Sequence, residues 1–143
     1  MIQVQVASTM PFEVFDRKAA TASKNPMVSI QKQGSFSLNR PAYKRMDEPE
    51  MVELLFDNVE KLIGFRKVPA NNPRAYPVRA QGKNAATFMI AGQAFTKYYG
   101  IDTSTARRYS VEMQDDILVL DLKSESTIVT GPRAAMKSRL GTQ

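Results

Sequence analysis

The sequence predicts a mostly β fold with short helices, of the α+β class, in which two ββαββ repeats share one core. Three observations lead there. Apolar residues recur at every second position over several short segments, the pattern of a half-buried strand. The chain resembles itself when shifted by 52 residues. Each matching segment, at about 45 residues, is too small to bury a core alone, whereas the full 143 residues, 43% hydrophobic and 24% charged, suffice for one domain.

The elements follow in chain order. Residues 1–26 read as an N-terminal arm, alternating over MIQVQVASTMPFEVF and then small and polar over 17–26. Val28 and Ile30 mark a first strand, Gln33-Gly34 a turn, and Phe36 and Leu38 a second strand. Asn39 is placed to cap a short helix, with Pro41 in its first turn, that ends before Glu48-Pro49. Val52, Leu54 and Phe56 give a third strand, Asp57-Asn58 a turn, and Leu62-Ile63-Gly64-Phe65 a fourth, completing a first half over 27–68. Pro69, Asn71, Asn72 and Pro73 resist helix and sheet interiors, which makes 69–75 a linker.

The second half, 76–122, repeats this order. Ser35-Phe36-Ser37-Leu38 lies over Thr87-Phe88-Met89-Ile90, and Ala42-Tyr43-Lys44-Arg45-Met46 over Ala94-Phe95-Thr96-Lys97-Tyr98. Ile30 with Gln33-Gly34 answers Val78 with Gln81-Gly82, the second turn being longer by Lys83-Asn84-Ala85-Ala86. Val52 to Phe56 answers Tyr109 to Met113, and Asp115-Asp116 makes the turn before Ile117 to Leu120. Chance similarity of short ββαββ patterns is the alternative to duplication. If duplicated, the halves should interdigitate their hairpins into one closed barrel with pseudo-twofold symmetry and no loose edges. Residues 123–143 remain as a basic tail, helical at most after Gly131-Pro132.

Composition removes many activities. With no Cys and no His, the chain has no disulfide, thiolate nucleophile, imidazole base or Cys/His zinc site. It has no G-x-G-x-x-G, Walker A, G-x-S-x-G or EF-hand motif. Ser29-Ile30-Gln31-Lys32 fits S-x-x-K in form, but on an alternating strand residues three apart face opposite sides. Asp115-Asp116 reads as turn residues more readily than as a cation site. The sequence therefore predicts no enzyme, no metal and no cofactor. No apolar run approaches the roughly 20 residues of a membrane span, so we expect a cytoplasmic protein without a membrane partner.

Twenty Lys and Arg against fourteen Asp and Glu give a net charge of +6, which permits an anionic partner. The net charge is +1 in each of the segments 1–30, 31–69 and 70–122, and +3 in 123–143 with Lys123, Arg133, Lys137 and Arg139. Any basic face on the body must therefore arise from segregation in space.

Val28 to Leu38 with its Gln33-Gly34 turn, the short helix, and Val52 to Asp57 with Leu62 to Phe65 resemble the AbrB/SpoVT (MazE-like) swapped-hairpin unit. The tandem layout over residues 27–122 is similar to that of MraZ-type members. The resemblance implies a swapped-hairpin barrel and a transcriptional regulator that contacts double-stranded DNA through basic residues of the first hairpin and helix. Carried onto this sequence, those are Lys32, Arg40, Lys44 and Arg45 in the first half and Arg79, Lys83 and Lys97 in the second.

The residues themselves leave alternatives open. Asp47, Glu48 and Glu50 stand close enough in sequence to neutralise Lys44 and Arg45. Arg107-Arg108 beside Tyr109 offers forked contacts to phosphate or guanine, or a pairing with Asp115 or Asp116 across a hairpin. Tyr98 and Tyr99 before Gly100, with Tyr109, could stack on the bases of a single-stranded nucleic acid, or belong to core and rim. The balanced body and long ends also suit a structural module that forms homo-oligomers through its barrel and arms.

Overall fold

The alternating segments become strands of two antiparallel sheets. The computed structural model describes residues 24–129. A first hairpin, β1 (Met27–Ile30) and β2 (Phe36–Asn39), leads into helix α1 (Arg40–Arg45) and a second hairpin, β3 (Met51–Asp57) and β4 (Leu62–Lys67). Then come β5 (Tyr76–Pro77), β6 (Arg79–Gln81), a 3₁₀ turn (Lys83–Ala85), β7 (Thr87–Ile90) and helix α2 (Gln93–Tyr98). The last strands are β8 (Arg107–Ser110), β9 (Glu112–Gln114), β10 (Ile117–Asp121) and β11 (Ser126–Ile128).

The strand order is β9-β10-β4-β3-β5 in a five-stranded sheet and β11-β8-β1-β2-β7-β6 in a six-stranded one. The single closed barrel expected from the repeat is not found among the described residues; two sheets with open edges stand in its place. The cause lies in two strands read as continuous. The first strand of the second half breaks at Val78, so β5 pairs with β3 in one sheet and β6 with β7 in the other. The third strand breaks at Val111, so β8 pairs with β1 and β9 with β10.

The registers respect the repeat. In the β2–β7 ladder, Phe36 pairs with Ile90 and Leu38 with Phe88, although Phe36 matches Phe88 and Leu38 matches Ile90 in sequence. Exchanging the halves leaves the ladder unchanged. The β4–β10 ladder behaves alike, with Ile63 opposite Leu120 and Phe65 opposite Leu118. Val28 opposite Tyr109 has its counterpart in Tyr76 opposite Val52. Each half thus pairs its first strand with the third strand of the other.

Residues from both halves fill the space between the sheets: Val28, Phe36, Leu38, Val52, Ile63 and Phe65 from one, Ile90, Leu118 and Leu120 from the other, all wholly buried. The Phe36 ring meets Phe65 edge-on at 5.1 Å between centroids. Close approach fixes two glycines. A Cβ on Gly92 would lie 2.5 Å from the Phe36 ring, and one on Gly34, whose φ is +99°, would lie 2.3 Å from Thr96 Oγ1.

The ends depart from the expected arms. Pro26 O accepts from Val111 N at 3.2 Å and Asn25 O from Asn39 Nδ2 at 2.8 Å, so 24–26 belong to the folded unit. Ser126–Ile128 add a strand beside β8, so the expected tail begins as sheet; Arg133, Lys137 and Arg139 lie outside the described residues, as does the arm before residue 24.

Asn39 joins these pieces. As the cap of α1, its Oδ1 accepts from Ala42 N at 3.0 Å, and the same oxygen accepts from Met27 N at 3.0 Å. Replacing it leaves two backbone donors without their acceptor. Asn39→Ala should lower stability by about 1–3 kcal/mol in urea unfolding, and Asn39→Asp, which keeps the acceptor but turns a carboxylate oxygen toward the Asn25 carbonyl in place of the amide donor, should recover only part of that loss.

Candidate functional site

The outer face of the six-stranded sheet carries the site. Val28, Ile30, Phe36, Leu38, Phe88 and Ile90 turn inward, so the alternate residues Met27, Ser29, Ser37, Asn39 and Thr87 turn outward. Small side chains there make a shallow floor. Arg108 lies opposite Ser29 in the β1–β8 ladder and therefore shares this face. Helix α1 begins where β2 ends and walls one side. The result is a cleft of about 910 Å³ with five cations on its lining, Lys24, Arg40, Lys44, Arg45 and Arg108, and no carboxylate.

The charges have distinct duties. Arg40 donates from one guanidinium nitrogen to the carbonyls of Asn84 and Ala85, the latter at 2.6 Å, and lies 5.9 Å from the centre of the Phe88 ring. Asn84 and Ala85 have φ of 63° and 49°, a left-handed conformation that Asn tolerates and Ala disfavours, so this side chain clamps a turn that is unfavourable at Ala85. Arg108 Nε donates to Ser29 Oγ at 3.4 Å, which lays the guanidinium along the floor. Lys44 and Arg45 occupy the last turn of α1, where cations suit the exposed carbonyls. Both are exposed.

Among the described residues, Lys44 and Arg45 form no ion pair with Asp47, Glu48 or Glu50. Asp47 accepts instead from Lys67 Nζ at 3.1 Å. The remaining ion pairs among the described residues are Arg66 with Glu53, and Lys123 with Glu60 and Asp121, all away from the cleft. The Arg66 guanidinium is held above its ordinary pKa, first by its hydrogen bond to Glu53 and secondly by that carboxylate's charge, against the effect of burial. Mutual repulsion of cleft cations with no carboxylate in contact costs stability unless an anion settles among them.

The other sequence-derived residues divide. Lys32 sits beyond β1 in the β1–β2 turn, off the strand assumed for the S-x-x-K match. Lys97 sits on α2, which packs beside the same turn through Thr96 Oγ1 to Gly34 O at 3.3 Å. That is the far end of β2 from α1, so neither joins the cleft. Arg79 stands on edge strand β6 opposite Met89, on the cleft's face but outside its lining. Lys83 opens the 3₁₀ turn beside α1; its side chain lies outside what is described. Arg107 and Arg108 point to opposite faces. Arg107 bonds Ser126 Oγ at 3.2 Å, and neither arginine pairs with Asp115 or Asp116, which form the expected β9–β10 turn.

The tyrosines do not form one stacking surface. Tyr109 is 7% exposed and belongs to the core, while Tyr98 is 81% exposed and Tyr99 42%, beside Phe56 and Phe95 at the α2 end. The sequence carried the signal, because Tyr109 occupies the place of the core residue Val52 in the repeat. Lys24 was missed by its assignment to the arm, and only the outward alternation of Ser29 and Ser37 hinted at an open floor. Among the described residues no three acidic side chains gather to hold a metal, and no helix is long and apolar enough to cross a membrane.

Arg40 has a folding duty that Lys44 and Arg45 lack. Arg40→Ala should cost about 1–3 kcal/mol in thermal or urea unfolding, whereas Lys44→Ala and Arg45→Ala should stay within about 0.5 kcal/mol of the parent. Compared with protein-family models, with curated proteins and with solved structures, the chain matches none of them.

Proposed function

We propose that the protein is a non-enzymatic, cytoplasmic DNA-binding protein of AbrB/SpoVT-like kind, a transcriptional regulator whose tandem halves form a swapped-hairpin unit. The observation that carries the reading is the cleft with five cations and no carboxylate beside α1. The exchange of first and third strands between halves supports the family resemblance. Lys24, Lys44 and Arg45 on the rim neutralise phosphates and release condensed counterions, which supplies affinity without sequence preference. Arg108, held on the floor by Ser29, keeps its terminal nitrogens for a forked contact to a phosphate or a guanine edge.

Fluorescence anisotropy with a labelled random duplex at two salt concentrations tests this. Duplex should bind at low salt, with log K falling against log salt at a slope of about −3 to −5 for the cations engaged. Lys44→Ala should flatten the slope by about 0.9 and weaken all sequences alike. A single strand of the same length should bind less well than the duplex. No binding at low salt, binding without salt dependence, or preference for the single strand would reject the proposal.

A further inference from the structure

Resting on the DNA-binding reading, we infer that one chain engages one duplex through its α1 side alone, and that its target has no dyad symmetry although the scaffold is pseudo-twofold. The symmetry that relates the ladders carries the cleft onto a second surface beside α2. There Arg40 is answered by Gly92, Lys44 by Thr96, Arg108 by Met51 and Lys24 by Asn72; only Arg45 keeps a cation, as Lys97. On the floor, Pro77 and Met89 replace the hydroxyls of Ser29 and Ser37.

Packing enforces this asymmetry. No side chain fits at Gly92, because its Cβ would lie 2.5 Å from the Phe36 ring. Thr96 is 3% exposed and its hydroxyl is bonded to the Gly34 carbonyl, so a lysine there would bury a charge in the seat of α2. A duplex laid symmetrically across the axis would set phosphates against a face that keeps one of the five lining cations, Lys97, with Arg79 on the β6 edge beside Met89 as its other cation on the sheet. Counterion release then comes mainly from the α1 side, where five cations gather.

Sedimentation of the full chain with a short duplex, together with affinities of Arg45→Ala and Lys97→Ala, tests the inference. Both side chains are exposed, so neither change touches the core. One duplex per chain is expected, with Arg45→Ala weakening binding about tenfold and Lys97→Ala less than about twofold. Two duplexes per chain, or equal losses for the two variants, would overturn the inference while leaving DNA binding intact. Absence of any duplex binding would instead remove the DNA-binding reading, and this one with it.

Discussion

Strand exchange between the halves is the constraint on which the rest depends. The central ladders, β2 with β7 and β4 with β10, each join one half to the other; β1, which pairs with β2 inside its own half, finds its second partner in β8 of the other half, and β5 pairs with β3 across the halves. A half taken alone would expose Phe36, Leu38, Phe65 and Val52 together with the backbone groups of its inner strands. Such a fragment has too little buried apolar surface to offset its conformational entropy. Folding of either half is therefore coupled to the other through hydrogen bonds and one core.

The cleft is a product of that coupling. Its floor comes from β1 and β2, but Arg108 arrives on β8 and Asn84, Ala86 and Thr87 arrive at the start of β7, all from the second half. Arg40 then ties α1 to the inserted 3₁₀ turn, and Asn39 ties α1 to the start of β1 at Met27 and to Asn25 before it. Cations that are far apart in sequence, Lys24 and Arg108 above all, become neighbours without any carboxylate among them. An evenly charged body thus acquires a basic face by placement alone.

Strands, the helix with its Asn39 cap, and the repeat were legible because they depend on local pattern: alternation, a capping amide, and a proline in the first turn. Closure was not legible. Whether strands complete a barrel or divide into two sheets depends on breaks at Val78 and Val111; Pro77, which has no N–H to donate to a ladder, hints at the first, whereas Val111 is a β-branched residue that carries no local break signal. For the site, Arg40, Lys44, Arg45 and Arg108 were within reach of sequence reasoning. Lys32 and Lys97 were grouped with them because proximity to a hairpin or helix does not say which end of the sheet that element occupies. Alternation already separates Arg107 from Arg108, whereas the pairing of Arg108 with Ser29 across the halves needed the ladder.

The most direct test of the account is a ¹⁵N–¹H NMR titration of the full chain with a short duplex. Amide shifts concentrated at 24–29, 37–45, 84–87 and around Arg108 are predicted, with α2 and the 31–35 turn left in place. Shifts centred on α2 and that turn, or no shifts at a concentration where a duplex should bind, would contradict it.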